Sequence, residues 1–141
     1  MPTYITHGPD GRILTHGVFG VGSPVPDPGA SIKEVPPQHI DIDQHYWDGS
    51  AIASKPPRPS QDHDFDYTDK TWKMNTTKAW SRVRRERDGL LQQTDWTVLK
   101  TGEQGSKLPK EWKDYRQALR DITLQPDPTN ITWPVKPTTA P

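Results

Sequence analysis

The sequence predicts an α+β protein in which an extended N-terminal arm with short antiparallel β-hairpins is followed by a C-terminal αα-hairpin. Three observations predict it. Ten of the 16 prolines occur by Pro59, none falls between 60 and 108, and six follow. Proline removes a backbone donor and fixes φ, so long ladders and helices belong to the proline-poor stretch. Turn-forming pairs separate β-prone runs in the first half. From about Asn75 the apolar spacing changes from alternation to a helical period.

The elements follow in order. Tyr4-Ile-Thr and Ile13-Leu-Thr flank Gly8-Pro9-Asp10-Gly11, where proline presets the turn and glycine supplies positive φ, giving a hairpin. Glycines and prolines crowd positions 20–37, so this stretch is expected to run extended without a ladder. His39 to His45 alternates polar and apolar residues and reads as a half-buried strand. Tyr46-Trp47 and Ser50-Ala-Ile-Ala53 flank Asp48-Gly49, the strongest hairpin signal in the chain. Lys55-Pro-Pro-Arg-Pro59 is a polyproline spacer. Phe65-Asp-Tyr67 and Thr71 to Met74 flank a third turn.

Trp80, Val83, Leu90 and Leu91 share one helical face, with Asn75, Thr76 or Thr77 as N-cap. Thr94-Asp-Trp-Thr97 is expected to turn, followed by a polar loop with Gly102 and Gly105. Pro109 suits the first position of a second helix, and Trp112, Tyr115, Leu119 and Ile122 continue on one face. Pro126 and Pro128 stop it. Asn130 to Pro134 is an extended return. The expected core is Trp80, Val83, Leu90, Trp96, Trp112, Tyr115, Leu119, Ile122 and Trp133. The corresponding division is 1–45 (hairpin and extended arm), 46–74 (hairpins and spacer), 75–135 (helical domain) and 136–141 (tail).

Composition narrows the function. Hydrophobic residues make up only 30% of 141, mean hydropathy is −0.94, and cysteine is absent. Such a chain builds a thin core and holds neither disulfides nor thiolate metal sites. No apolar run reaches the length of a membrane span. The first twenty residues include Pro2, His7, Asp10 and Arg12, so no signal peptide is expected and the cytosol is the default compartment.

The net charge of zero conceals a division. Residues 1–69 hold four basic and ten acidic residues, a net of −6, and residues 70–141 carry +6. This suits contact between copies or with a partner. The N-terminal half reads as hairpins on spacers without a core of their own. Its ordering would then come from a partner surface reached by Val35, Ile40, Ile42, Tyr46, Trp47 and Ile52.

Between Trp80 and Thr97 the pattern Trp80-x-x-Val83-Arg84-x-x-Arg87-Asp88-x-Leu90-Leu91-x-x-Thr94-Asp-Trp-Thr97 resembles the first helix and turn of phage tail assembly chaperone-like domains. Trp112-x-x-Tyr115-Arg-Gln-Ala-Leu-Arg-Asp-Ile122, with Asn130-Ile-x-Trp133-Pro134, resembles their second helix and return. The 46–74 modules resemble linkers preceding such domains in tail-fibre and fibre-assembly proteins. The resemblance implies a non-enzymatic protein that builds a phage tail or its fibres, in several copies, binding tail-fibre or other tail proteins. It implies synthesis in the host cytoplasm. A permanent place in the virion tail is preferred over a transient chaperone role.

Sharper chemistries are weighed against this. On a strand His39, Asp41, Asp43 and His45 share a face that could chelate a metal. The plainer reading is a solvated face opposite Ile40 and Ile42, and no metal or cofactor is expected. Arg82, Arg84 and Arg85 form a basic helical surface, but Glu86 and Asp88 interleave, so protein contact is preferred to nucleic acid. These arginines would pair with an acidic neighbour or brace the second helix through Asp114 and Asp121. No nucleophile elbow, phosphate cradle or HExxH supports catalysis.

Overall fold

The structure, a computed structural model, describes residues 2–18 and 28–141. It divides into two units, Met1–Lys73 and Met74–Pro141.

In the first unit, β1 (Thr3–His7) and β2 (Ile13–Val18) form the antiparallel hairpin over Gly8–Gly11. The turn depends on Gly11, whose φ is +88° and whose absent Cβ would lie 2.2 Å from the Trp47 carbonyl oxygen. That approach lets the Trp47 N–H donate to the Gly11 carbonyl at 2.9 Å, tying the turn to the next hairpin. A third strand, β3 (Ser31–Val35), pairs antiparallel with β1, so the sheet order is β2-β1-β3. The expectation of an unpaired stretch at 20–37 is therefore corrected at its C-terminal end. Pro28, Gly29, Pro36 and Pro37 flank β3 and do not interrupt its ladder. The part of that expectation covering 20–27 lies outside the described residues.

The strand expected at His39–His45 is also corrected. The chain turns at Asp41, whose carbonyl accepts from the N–H groups of Gln44 (3.0 Å) and His45 (2.9 Å), while its Oδ1 accepts from the Asp43 N–H. Local capping by the Asp side chain outcompetes the alternation. β4 (His45–Trp47) and β5 (Ile52–Ser54) then pair across Asp48-Gly49. Here Gly49 takes φ +106°, and Asp48 Oδ1 accepts from the N–H groups of Ser50 and Ala51, each at 2.7 Å. β6 (His63–Asp66) pairs with β7 (Thr71–Met74).

Ile5, Ile13, Val35, Ile40 and Trp47 are buried together, with Ile42 and Ile52 packed against them. This overturns the reading of a coreless arm. Residues expected to reach outward to a partner face one another instead, because β3 closes over β1 and the Asp41 turn folds Ile40 inward. Of that set, Tyr46 is half-buried and packs its ring 5.5 Å from Phe65. At about 1.5–3 kcal/mol per buried aliphatic side chain, such a cluster offsets much of the ordering cost of the strands.

In the second unit, Asn75 caps α1 (Thr76–Glu103), its side chain accepting from the Lys78 N–H. The helix runs straight through Thr94–Thr97, where a turn is expected from the sequence. Its end is set ten residues on by a Schellman arrangement: Ser106 N–H donates to Thr101 O (2.9 Å) and Gly105 N–H to Gly102 O (3.2 Å), with Gly105 at φ +65°. Pro109 stands just outside α2 (Lys110–Arg120), its carbonyl accepting from Trp112 and Lys113. A 3₁₀ turn, Asp121–Leu124, follows, and after a further turn in which Asn130 N–H donates to Asp127 O the chain has no regular secondary structure.

Candidate partner-binding surface of the helical unit

One face of α1 is closed. Ala79, Val83, Thr94, Thr97 and Thr101 are buried, so from position 94 onward the inward stripe is made of threonine. Each hydroxyl is satisfied within the helix: Thr94 Oγ1 donates to Leu91 O, Thr97 Oγ1 to Thr94 O, and Thr101 Oγ1 to Thr97 O. A threonine bonded this way presents mainly its methyl group to its surroundings. That is why a face without large aliphatic residues still buries, and why an apolar count ends the helix too early.

Against this face, α2 buries Trp112, Tyr115 and Leu119, and Ile122 follows from the 3₁₀ turn. Burial pushes the Tyr115 hydroxyl pKa up. Trp112 Nε1 donates to the Thr139 carbonyl at 3.0 Å, holding the C-terminal segment. The main polar tie is Arg116. Its Nη1 donates to Leu91 O (3.1 Å) and Thr94 Oγ1 (2.6 Å), and its Nη2 meets Asp95 Oδ1 at 2.9 Å. Of the arginines expected to brace α2, Arg84 and Arg85 make no pair with Asp114 or Asp121 among the described residues. Asp114 pairs with Lys110 one turn earlier, and Asp121 accepts from Gln117. Arg116 lay in the quoted sequence motif without a role, and no spacing rule marks an arginine that reaches carbonyls of another helix.

The opposite face of α1 is open. Trp96, assigned above to the core, is 51% exposed and Leu99 is 68% exposed. The correction follows from helix continuation. A tryptophan two residues from buried Thr94 and one from buried Thr97 points away from both. Arg85, Gln92, Trp96 and Leu99 fall on this outward stripe, alternating in steps of three and four with Gly89 between them, and all four are exposed. Lys100 Nζ lies 5.8 Å from the Trp96 ring. Trp80, Leu90 and Trp133, also assigned to the core, are half-buried. Arg84 and Arg85 are exposed and have no hydrogen bond or ion pair among the described residues, whereas Arg82 reaches the Pro128 carbonyl.

The arrangement is one of surface recognition. Two adjacent large apolar side chains on a long helix, with the Lys100 ammonium beside the Trp96 ring, form a strip on which a partner segment can lie. Among the described residues no group of three or more histidine, aspartate or glutamate side chains is placed to hold a metal ion. No helix of the described residues is long and apolar enough to cross a membrane.

Residues 80–138 match the family model of phage tail assembly chaperone protein. The match covers α1 from its second turn through α2 to the C-terminal segment, and over these residues the chain is similar to that family. The 46–74 modules lie outside it. No curated protein and no solved structure matches the chain.

Proposed function

We propose that the protein acts in phage tail assembly, with its helical unit binding a tail protein through the outward stripe of α1 and releasing it as the tail forms. The observation that carries this reading is the coincidence of the family match with an open apolar face inside it. A chaperone for assembly must offer apolar surface in water at modest cost, and Trp96 and Leu99 do so on a helix whose other face is closed. The role is one of assembly, not catalysis, and the site of synthesis is the host cytoplasm. Arg84 and Arg85 would add steering toward an acidic partner surface, an effect that weakens with salt.

The division of charge supports a second reading, in which several copies pack as a permanent tail component. Mass spectrometry of purified particles separates the two, because the chaperone reading requires the chain to be absent from them. The binding claim itself is tested by affinity capture of the tagged chain from cells producing the phage. The wild-type chain should enrich a tail protein that a Trp96→Ala, Leu99→Ala double variant loses. Equal recovery by both would reject the stripe as the binding face.

A further inference from the structure

The N-terminal unit contains a cleft of about 540 Å³ that the assembly reading does not use and that does not rest on it. Its floor is a ring cluster: Phe65 packs edge-on against Tyr67 (5.0 Å) and against Trp72 (5.2 Å). Three cations lie on those rings. Lys55 Nζ is 4.8 Å from the Tyr67 centroid and 5.0 Å from that of Phe65, Arg12 is 5.8 Å from Tyr67, and Arg58 is 5.4 Å from Trp72. Residues 1–69 hold only four basic side chains, and three of them line this one cleft. Asp43 and Asp64 share the lining, so basic side chains outnumber acidic ones three to two here, in a stretch whose net charge is −6.

The three cations are not equivalent. Lys55 is consumed by the fold, donating to Tyr67 Oη (2.8 Å), Asp43 O (3.0 Å) and Ile42 O (3.5 Å). Arg58 spends Nε and Nη2 on the carbonyls of His63 and Gln61, which leaves Nη1 open among the described residues. Arg12 is exposed and its guanidinium donates no hydrogen bond among the described residues; only the Tyr67 ring holds it. A guanidinium lying on a ring keeps its in-plane N–H donors aimed outward, the geometry that takes a carboxylate or phosphate in a two-point grip.

The rest of the lining narrows the ligand. The cleft is several times larger than a lone oxyanion, and Gln44, Asp43 and His63 offer mixed donors and acceptors suited to hydroxyl groups. The cations over the rings occupy stacking positions a nucleobase would use. A polyanion would meet the acidic remainder of the unit. We propose that this cleft binds a saccharide carrying one anionic group, held by Arg12 and the free edge of Arg58.

Isothermal titration calorimetry of the full chain tests this with four probes: a glucuronate-bearing disaccharide, glucose 6-phosphate, maltose and a dT12 oligonucleotide. At least one of the two anionic sugars should bind saturably at one site, and the comparison of the two identifies carboxylate or phosphate as the anionic group. Maltose should not saturate. Arg12→Gln should weaken binding about tenfold or more, the effect of losing a charge-assisted hydrogen bond, and Arg12→Lys should weaken it less. The Trp72 indole N–H resonance should shift during the wild-type titration, a readout that needs no variant. Absence of binding by both anionic sugars, indifference to Arg12→Gln, equal binding of maltose, or tighter Arg12-dependent binding of dT12 would each overturn the proposal.

Discussion

The core of the N-terminal unit is built from aliphatic residues that alternate along strands, Ile5, Ile13 and Val35 among them, closed by Trp47. The helical unit buries two aromatic rings and three threonines, and it leaves Trp96 and Leu99 in water. The first unit needs its apolar side chains for itself, since each of its paired sheets is only two or three strands wide. In the second, α1 meets Trp112, Tyr115 and Leu119 of α2 with threonines from position 94 onward, and Trp96 and Leu99 stay on the other side of the helix. An apolar residue therefore means different things in the two halves of one chain. In β1 and β3 it marks the inside, and on α1 beyond Thr94 it marks the outside.

The contrast is broken most forcefully at Trp112. Trp112→Ala removes the largest ring in the α1–α2 contact and the hydrogen bond to Thr139, and should cost about 3–5 kcal/mol in denaturant melts followed by helical circular dichroism. A loss below about 1 kcal/mol would mean that the threonine face holds the helices together without it. Next comes Ile5→Ala, at a fully buried position on the central strand. It should cost about 2–4 kcal/mol, read from amide exchange in β1 to β3. If the strands exchange as in the wild type, the N-terminal core is not what orders them.

Smaller effects sharpen the comparison. Thr97→Val keeps the shape and removes a hydroxyl that serves only its own helix, so stability should change by less than about 1 kcal/mol in either direction. Trp96→Ala should change it by less than about 0.5 kcal/mol while abolishing partner capture, since the ring is exposed. A large loss of stability would instead make Trp96 part of the fold.

Acid acts on the β6–β7 turn. Asp66 is held at about 2, chiefly by the hydrogen bond from Lys73 and then by the Asp69 and Thr68 N–H groups, against a small opposing cost of burial. Because the unfolded carboxylate titrates near 4, the turn's contribution is complete above about pH 4 and is lost as pH falls toward 2. The Asp66 carboxyl carbon followed by NMR should titrate near that lower value and move up toward 4 in a Lys73→Ala variant.

Legibility followed the range of the forces involved. The Gly8–Gly11 turn, the Asp48-Gly49 hairpin, the β6–β7 turn and the start of α2 all rest on residues within a few positions of one another, and all four were readable, while the cap of α1 was narrowed to Asn75, Thr76 or Thr77. β3 was not, because its partner β1 lies some 28 residues earlier and no local signal names a partner at that distance. The end of α1 was misplaced because buried threonines do not register as apolar. The exposed stripe was hidden by the same error, since Trp96 and Leu99 form a pair only once residues 94–97 are helical.

Sequence alone settles where most turns fall and where the helices begin, that charge is split between the halves, and that residues from about 72 to 134 resemble phage tail assembly chaperone-like domains. Tertiary structure alone decided which way each apolar face looks. Val35 and Ile40 turn inward because β3 and the Asp41 turn bring them against Ile5 and Ile13. Trp96 turns outward because Thr94 and Thr97 occupy the only side of α1 that α2 covers. Periodicity states which residues share a face, but burial depends on what arrives opposite that face, and that is a property of the whole fold.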